Sequence, residues 1–160
     1  NSFEKIYEEK WLNMMRDKLG LFGENFNDQV LIIDLLTWMH KNKADYTNTF
    51  CYLMNEDFSI DEKYKNKDFL HWKKRWDERL KLNNNTQDKY LNLMRSVNPL
   101  VIPRNHKVEE ALKEANNNNI EPVKNLIKVL KKPYIRQNKI SKFQLPKKNI
   151  DKKYQTFCGT

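Results

Sequence analysis

The residue types best suited to chemistry are two cysteines, three histidines and a set of paired acids. Cys158 lies three positions from the end, in Tyr154-Gln155-Thr156-Phe157-Cys158-Gly159-Thr160. A thiol near a chain terminus is accessible, and surrounding lysines favour its thiolate, the nucleophilic and oxidisable form. An incidental cysteine is the competing reading. His40, His71 and His106 are more than 30 positions apart, and neither a CxxC nor an HExxH spacing occurs, so no metal site is expected. Glu8-Glu9, Glu56-Asp57, Asp61-Glu62 and Glu109-Glu110 are adjacent pairs. Neighbours in a helix point to different faces, so these read as solvated charge rather than acid/base couples. Asp57-Phe58-Ser59 has two residues of the metal-binding Asp-Phe-Gly but lacks its glycine. Only Gly20, Gly23 and Gly159 are present, and they cannot write a GxGxxG or GxxxxGK phosphate loop. No catalytic, cofactor-binding or metal-ligating residue is therefore assigned within the chain. Trp72 and Trp76, beside Lys73, Lys74, Arg75 and Arg79, could stack on bases, or could be core residues at i, i+4 spacing.

Charge narrows the partners. The net charge of +9 is uneven: residues 1–62 hold 6 Lys/Arg against 12 Asp/Glu, and residues 63–160 hold 24 against 9. A basic half of that kind suits an acidic surface, a phosphate ligand or nucleic acid. Lysine supplies 24 of the 30 basic residues, whereas readers of phosphates and bases favour the arginine fork, so nucleic acid is a secondary reading. The longest apolar stretch, Val30–Leu36, is broken by Asp34 and is far short of a membrane span of ~20 residues. Nothing near the start reads as a signal peptide, and the expected location is the bacterial cytoplasm.

The elements that must position these residues are helical. Phe3, Ile6, Tyr7, Trp11, Met14, Met15 and Leu19 follow i, i+3, i+4 spacing, with Ser2 as a cap and Gly20 as a stop. Asp28 to about Lys41 is apolar on most faces and reads as a buried helix. Asp45 caps a short helix to about Met54, and Glu56–Asn66 reads as a polar loop. Asp68 opens a helix carrying Phe69, Trp72, Trp76 and Leu80. Thr86 caps the next, to about Ser96, and Asn98-Pro99 with Pro103 marks an irregular connection. Asn105 opens a helix with Val108, Ala111, Leu112 and Ala115, and Asn116–Asn119 is a turn. Pro122 suits the first turn of a last helix, ended by Pro133. The fold class is all-α with about seven helices. Residues 1–133 are the helical region and 134–160 an extended basic tail, anchored by Tyr134, Ile140, Phe143, Leu145, Tyr154 and Phe157.

Several blocks in order resemble the C-terminal region of the selenoprotein O family of kinase-like proteins. They are Lys18-Leu19-Gly20-Leu21; Asp45-Tyr46-Thr47-Asn48-Thr49-Phe50; Asn98-Pro99 leading to Arg104-Asn105 and Glu110-Ala111; Leu130 and Pro133-Tyr134 before Gln137; and the closing Cys158-Gly159-Thr160. The resemblance runs from about Trp11 to Thr160. It implies a parent that binds ATP with magnesium and transfers AMP to hydroxyls of protein substrates. The parent's nucleotide and metal residues lie upstream, in a kinase-like core absent from this chain, so these 160 residues alone are expected to be inactive. The resemblance also implies a redox role for Cys158, through a disulfide near the parent's active site. Two departures stand out: Cys51 occupies a position where the family usually has arginine, and the tail lacks a tryptophan that often follows its prolines.

Overall fold

The structure, a computed structural model, describes residues 2–56, 62–82, 85–138 and 140–146. Its regular elements are α1 (Ser2–Lys18), α2 (Asp28–Asn42), α3 (Tyr46–Leu53), a 3-10 turn (Glu62–Lys65), α4 (Lys67–Lys81), α5 (Gln87–Val97), α6 (Asn105–Asn116), α7 (Glu121–Leu130) and α8 (Ser141–Gln144). Among the described residues there is no strand, as the helical periodicity predicts. None of these helices is long and apolar enough to cross a membrane. The chain divides into two compact units, one through Pro99 and one from Leu100 onward.

Helix ends follow from local chemistry. The Asp45 carboxylate accepts from the Asn48 N–H at 2.9 Å, capping α3. At α4 the cap is Asn66, upstream of the expected Asp68, and its side chain accepts from the Asp68 N–H at 2.8 Å. Pro122 sits in the first turn of α7, where its missing N–H costs nothing. Four helices close with paired 6→1 and 5→2 bonds about a left-handed residue. For α1 that residue is Gly20, with Leu21 N–H donating to Arg16 O and Gly20 N–H to Asp17 O. Lys43, Asn55 and Asn118 take the same role after α2, α3 and α6.

In the first unit, α2 packs on α4, and α1 packs on α5 and α2. Leu31, Ile32 and Leu35 of α2 are buried, as are Phe69, Trp72 and Trp76 of α4 and Met15 and Leu19 at the end of α1. The stretch expected to be a polar loop contributes Tyr64 to this core. Its ring stacks on Tyr52 with centroids 4.0 Å apart and lies 5.1 Å from Phe69. The charged neighbours of Tyr64 hide it from any periodicity argument.

In the second unit, α6 packs on α7. Leu100 N–H donates to Pro133 O at 2.7 Å, and Gln144 donates through Nε2 to Leu100 O at 2.9 Å. Gln137 Nε2 donates to Val129 O and Lys132 O, satisfying carbonyls at the end of α7. The tail therefore does not run extended throughout its described part, since one helical turn, α8, interrupts it and carries buried Phe143.

Candidate functional site

Three of the blocks that carry the family resemblance meet at one place. Lys18, the last residue of α1, donates through Nζ to Asn98 Oδ1 at 3.2 Å and to Val97 O at 3.3 Å. Asn98 answers with Nδ2, which donates to Lys18 O at 2.9 Å. The ammonium also lies 5.2 Å from the centroid of the Phe50 ring and 5.7 Å from that of Tyr46, within cation–π range. Tyr46 and Phe50 pack edge to face at 5.0 Å, as i, i+4 neighbours on α3. Cys51 is buried next to them, its thiol 3.8 Å from Pro99 O. Residues far apart in the chain thus form a single clamp joining the C-terminal ends of α1 and α5 to the face of α3.

Burial lowers the Lys18 pKa and raises that of Tyr46. Even so, the protons of Lys18 are committed to two carbonyl-type acceptors and its charge to two ring faces. The amine is placed to hold carbonyls at the C-terminal end of α5, where a cation also meets the helix dipole. It is not placed to attack a substrate.

The first unit also holds an ion network that no spacing in the sequence reveals. Asp28, the first residue of α2, is fully buried. Its Oδ1 accepts from Arg79 Nε at 2.6 Å. Its Oδ2 accepts from Arg16 Nε at 2.9 Å, Arg79 Nη2 at 3.2 Å and the Asn25 N–H at 3.0 Å. Arg79 Nη2 also donates to Phe22 O and Gly23 O, pinning the loop between α1 and α2. Burial pushes the Asp28 carboxyl up. The bonds from Arg79, the Asn25 N–H and Arg16, with the Arg79 charge, outweigh that and hold it below the ordinary value. The only signal in the sequence is scarcity, since two of just six arginines converge on one acid. An open cleft of about 470 Å³ adjoins this network, lined by Asp28, Arg75, Glu78 and Arg79.

Trp72 and Trp76 do not form a base-stacking platform. Both are buried, with indole N–H groups donating to Leu31 O at 2.8 Å and Leu19 O at 2.9 Å. This removes the aromatic half of the nucleic-acid reading. The basic half is real but lies elsewhere, in a cleft of the second unit lined by Lys124, Lys128, Lys131, Lys132 and Arg136 around Ile127 and Ile135.

His40 and His71 are exposed on α2 and α4, and His106 belongs to α6 in the other unit. Glu8, Glu9, Glu109 and Glu110 are exposed, while Glu56 pairs with Arg95 at 3.2 Å. Cys158, Asp57-Phe58-Ser59 and Asp61 lie outside the described residues. Among the described residues no three His, Cys, Asp or Glu side chains come together as a metal-binding group. The three glycines of the chain write no phosphate-cradling loop of the GxGxxG or GxxxxGK type.

Comparison with known proteins gives the context. The family model described as protein adenylyltransferase SelO matches residues 1–131. The chain is 54% identical over 160 residues to the protein nucleotidyltransferase YdiU of Pelagibacter ubique, covering 100% of this chain and 33% of that protein. It is 46% identical to YdiU of Alcanivorax borkumensis, with 99% and 33% covered, and 44% identical to YdiU of Clostridium perfringens, with 100% and 33% covered. The chain thus spans about a third of the length of the curated relatives it matches. It belongs to the SelO protein adenylyltransferase family.

Proposed function

We propose that the chain is the helical C-terminal portion of a protein adenylyltransferase, a kinase-like enzyme that transfers AMP from ATP to Ser, Thr or Tyr hydroxyls of protein substrates. Residues 1–133 buttress the kinase-like core, and residues 134–160 carry Cys158 as a redox-active terminal thiol. ATP and magnesium are bound by the parent, outside this chain, and the 160 residues alone are inactive. The observation that carries this reading is the clamp. The family's separated blocks converge on Lys18, Asn98, Tyr46 and Phe50, and the polar groups of Lys18 and Asn98 are spent on architecture. A region built to hold helix ends fits a supporting role within a larger enzyme. The test is AMP transfer by the full-length polypeptide supplied with ATP and magnesium. Retention of the α-phosphate on protein supports the reading, and transfer of only the γ-phosphate refutes it.

A further inference from the structure

Among the described residues, nothing buries the first half of α1. Every residue from Ser2 through Lys10 is exposed, and these include Phe3 at 73%, Ile6 at 56% and Tyr7 at 62%. At about 100° per residue, Phe3, Tyr7 and Met14 fall within about 40° of one another, with Trp11 next to them. They form one ridge, while Met15, about 80–120° further around the helix, and the following Leu19 are fully buried in the first unit. The buried and the exposed apolar residues of α1 thus lie on different sides of the helix, and the ridge stays exposed as far as Met14 at 43%. A helical segment this short is marginal in water unless its apolar face is packed.

The length of the relatives supplies the cover. The match to the family model covers residues 1–131, so this half-helix lies within the family's own region. The chain accounts for only 33% of the Pelagibacter and Alcanivorax relatives, which leaves about two thirds of such a polypeptide to supply a surface. We infer that Phe3, Ile6, Tyr7 and Met14 form an interface that docks onto an apolar face of the remainder of the same full-length polypeptide. The inference rests on the proposed role as part of a longer enzyme, and it names the surface that joins the two parts.

The test uses the full-length protein with single cysteines introduced by Phe3→Cys, Tyr7→Cys and Lys5→Cys, the last about 160° around the same helix from the other two. Maleimide labelling is followed peptide by peptide, so native thiols do not interfere. Cysteines at 3 and 7 are expected to label at least about ten-fold more slowly than the one at 5, at any protein concentration, because a packed face excludes the reagent. Rates within about two-fold of each other overturn the inference. Slow labelling that appears only as concentration rises also overturns it, because a second copy is then the cover. If the variants fold poorly, hydroxyl-radical footprinting of the unsubstituted protein serves instead. Tyr7 is expected to oxidise about as slowly as buried Tyr64, and several-fold faster oxidation overturns the docking. AMP transfer is measured on the same preparation. An inactive protein with shielded Tyr7 keeps the interface and sinks the enzymatic reading, and an active protein with bare Tyr7 does the reverse.

Discussion

Replacing Asp28 by Asn separates burial from mere pairing. The substitution keeps the shape of the side chain and removes its charge. Asp28 has no exposed surface and accepts four hydrogen bonds, three of them from Arg16 and Arg79. The amide offers one acceptor oxygen, so at least one arginine N–H faces an NH₂ group, and two buried guanidinium charges lose the counter-ion they share. Breaking a buried pair from one side costs about 3–5 kcal/mol. Asp34 supplies the control. Its Oδ2 lies 2.6 Å from Arg75 Nη1, as short as the best Asp28 bond, but the two side chains are 43% and 35% exposed. Asp34→Asn is expected to cost no more than about 1 kcal/mol. Urea unfolding at pH 7, read by tryptophan fluorescence with a common slope, measures both. Because Asp28 titrates below its ordinary value when folded, its stabilisation is complete above the unfolded pKa. It is lost as pH falls through the lowered folded value. Asp28→Asn should therefore flatten the acid limb of the stability curve, and Asp34→Asn should not. Equal costs for the two variants, within about 0.5 kcal/mol, would refute the claim that burial makes this network matter.

Other outcomes follow from named contacts. Gly20→Ala forces a side chain into φ +69°, with its Cβ 3.1 Å from Met94 Cγ and from Tyr90 Cβ and O. The cost is expected to exceed the ~1–2 kcal/mol of the left-handed conformation alone, seen as a lower urea midpoint. Asn98→Ala leaves the Lys18 carbonyl and ammonium each short of a partner, at about 1–3 kcal/mol by the same assay. Cys158→Ser in the full-length protein should abolish the response of AMP transfer to oxidant. Unchanged sensitivity would remove the redox role proposed for that thiol.

Helix positions are legible in the sequence because each depends on local chemistry. Asp45, Pro122 and Gly20 announce their ends, and the 3.6-residue period marks α1, α2 and α4. Thr86 and Asn105 mark starts to within a residue, although neither supplies a side-chain cap: α5 and α6 begin with no such bond. Long-range polar chemistry is not legible. Nothing in the spacing of Arg16, Asp28 and Arg79 says that they meet, because a buried ion pair is fixed by how helices cross and not by periodicity. Tyr64 escapes for a related reason, since a single aromatic among lysines gives no pattern. The clamp is half legible. Its blocks carry the resemblance, but only the fold shows that Lys18 reaches Asn98 and the rings of α3.

The central claim is that this chain supports chemistry performed elsewhere in a longer enzyme. The most direct test incubates the 160-residue chain and the full-length polypeptide separately with magnesium and ATP labelled at the α-phosphate. Label is expected on protein with the full-length polypeptide and none with the 160 residues alone. Labelling by the short chain would contradict the account, because the nucleotide site would then lie within a chain whose role is to hold helices together.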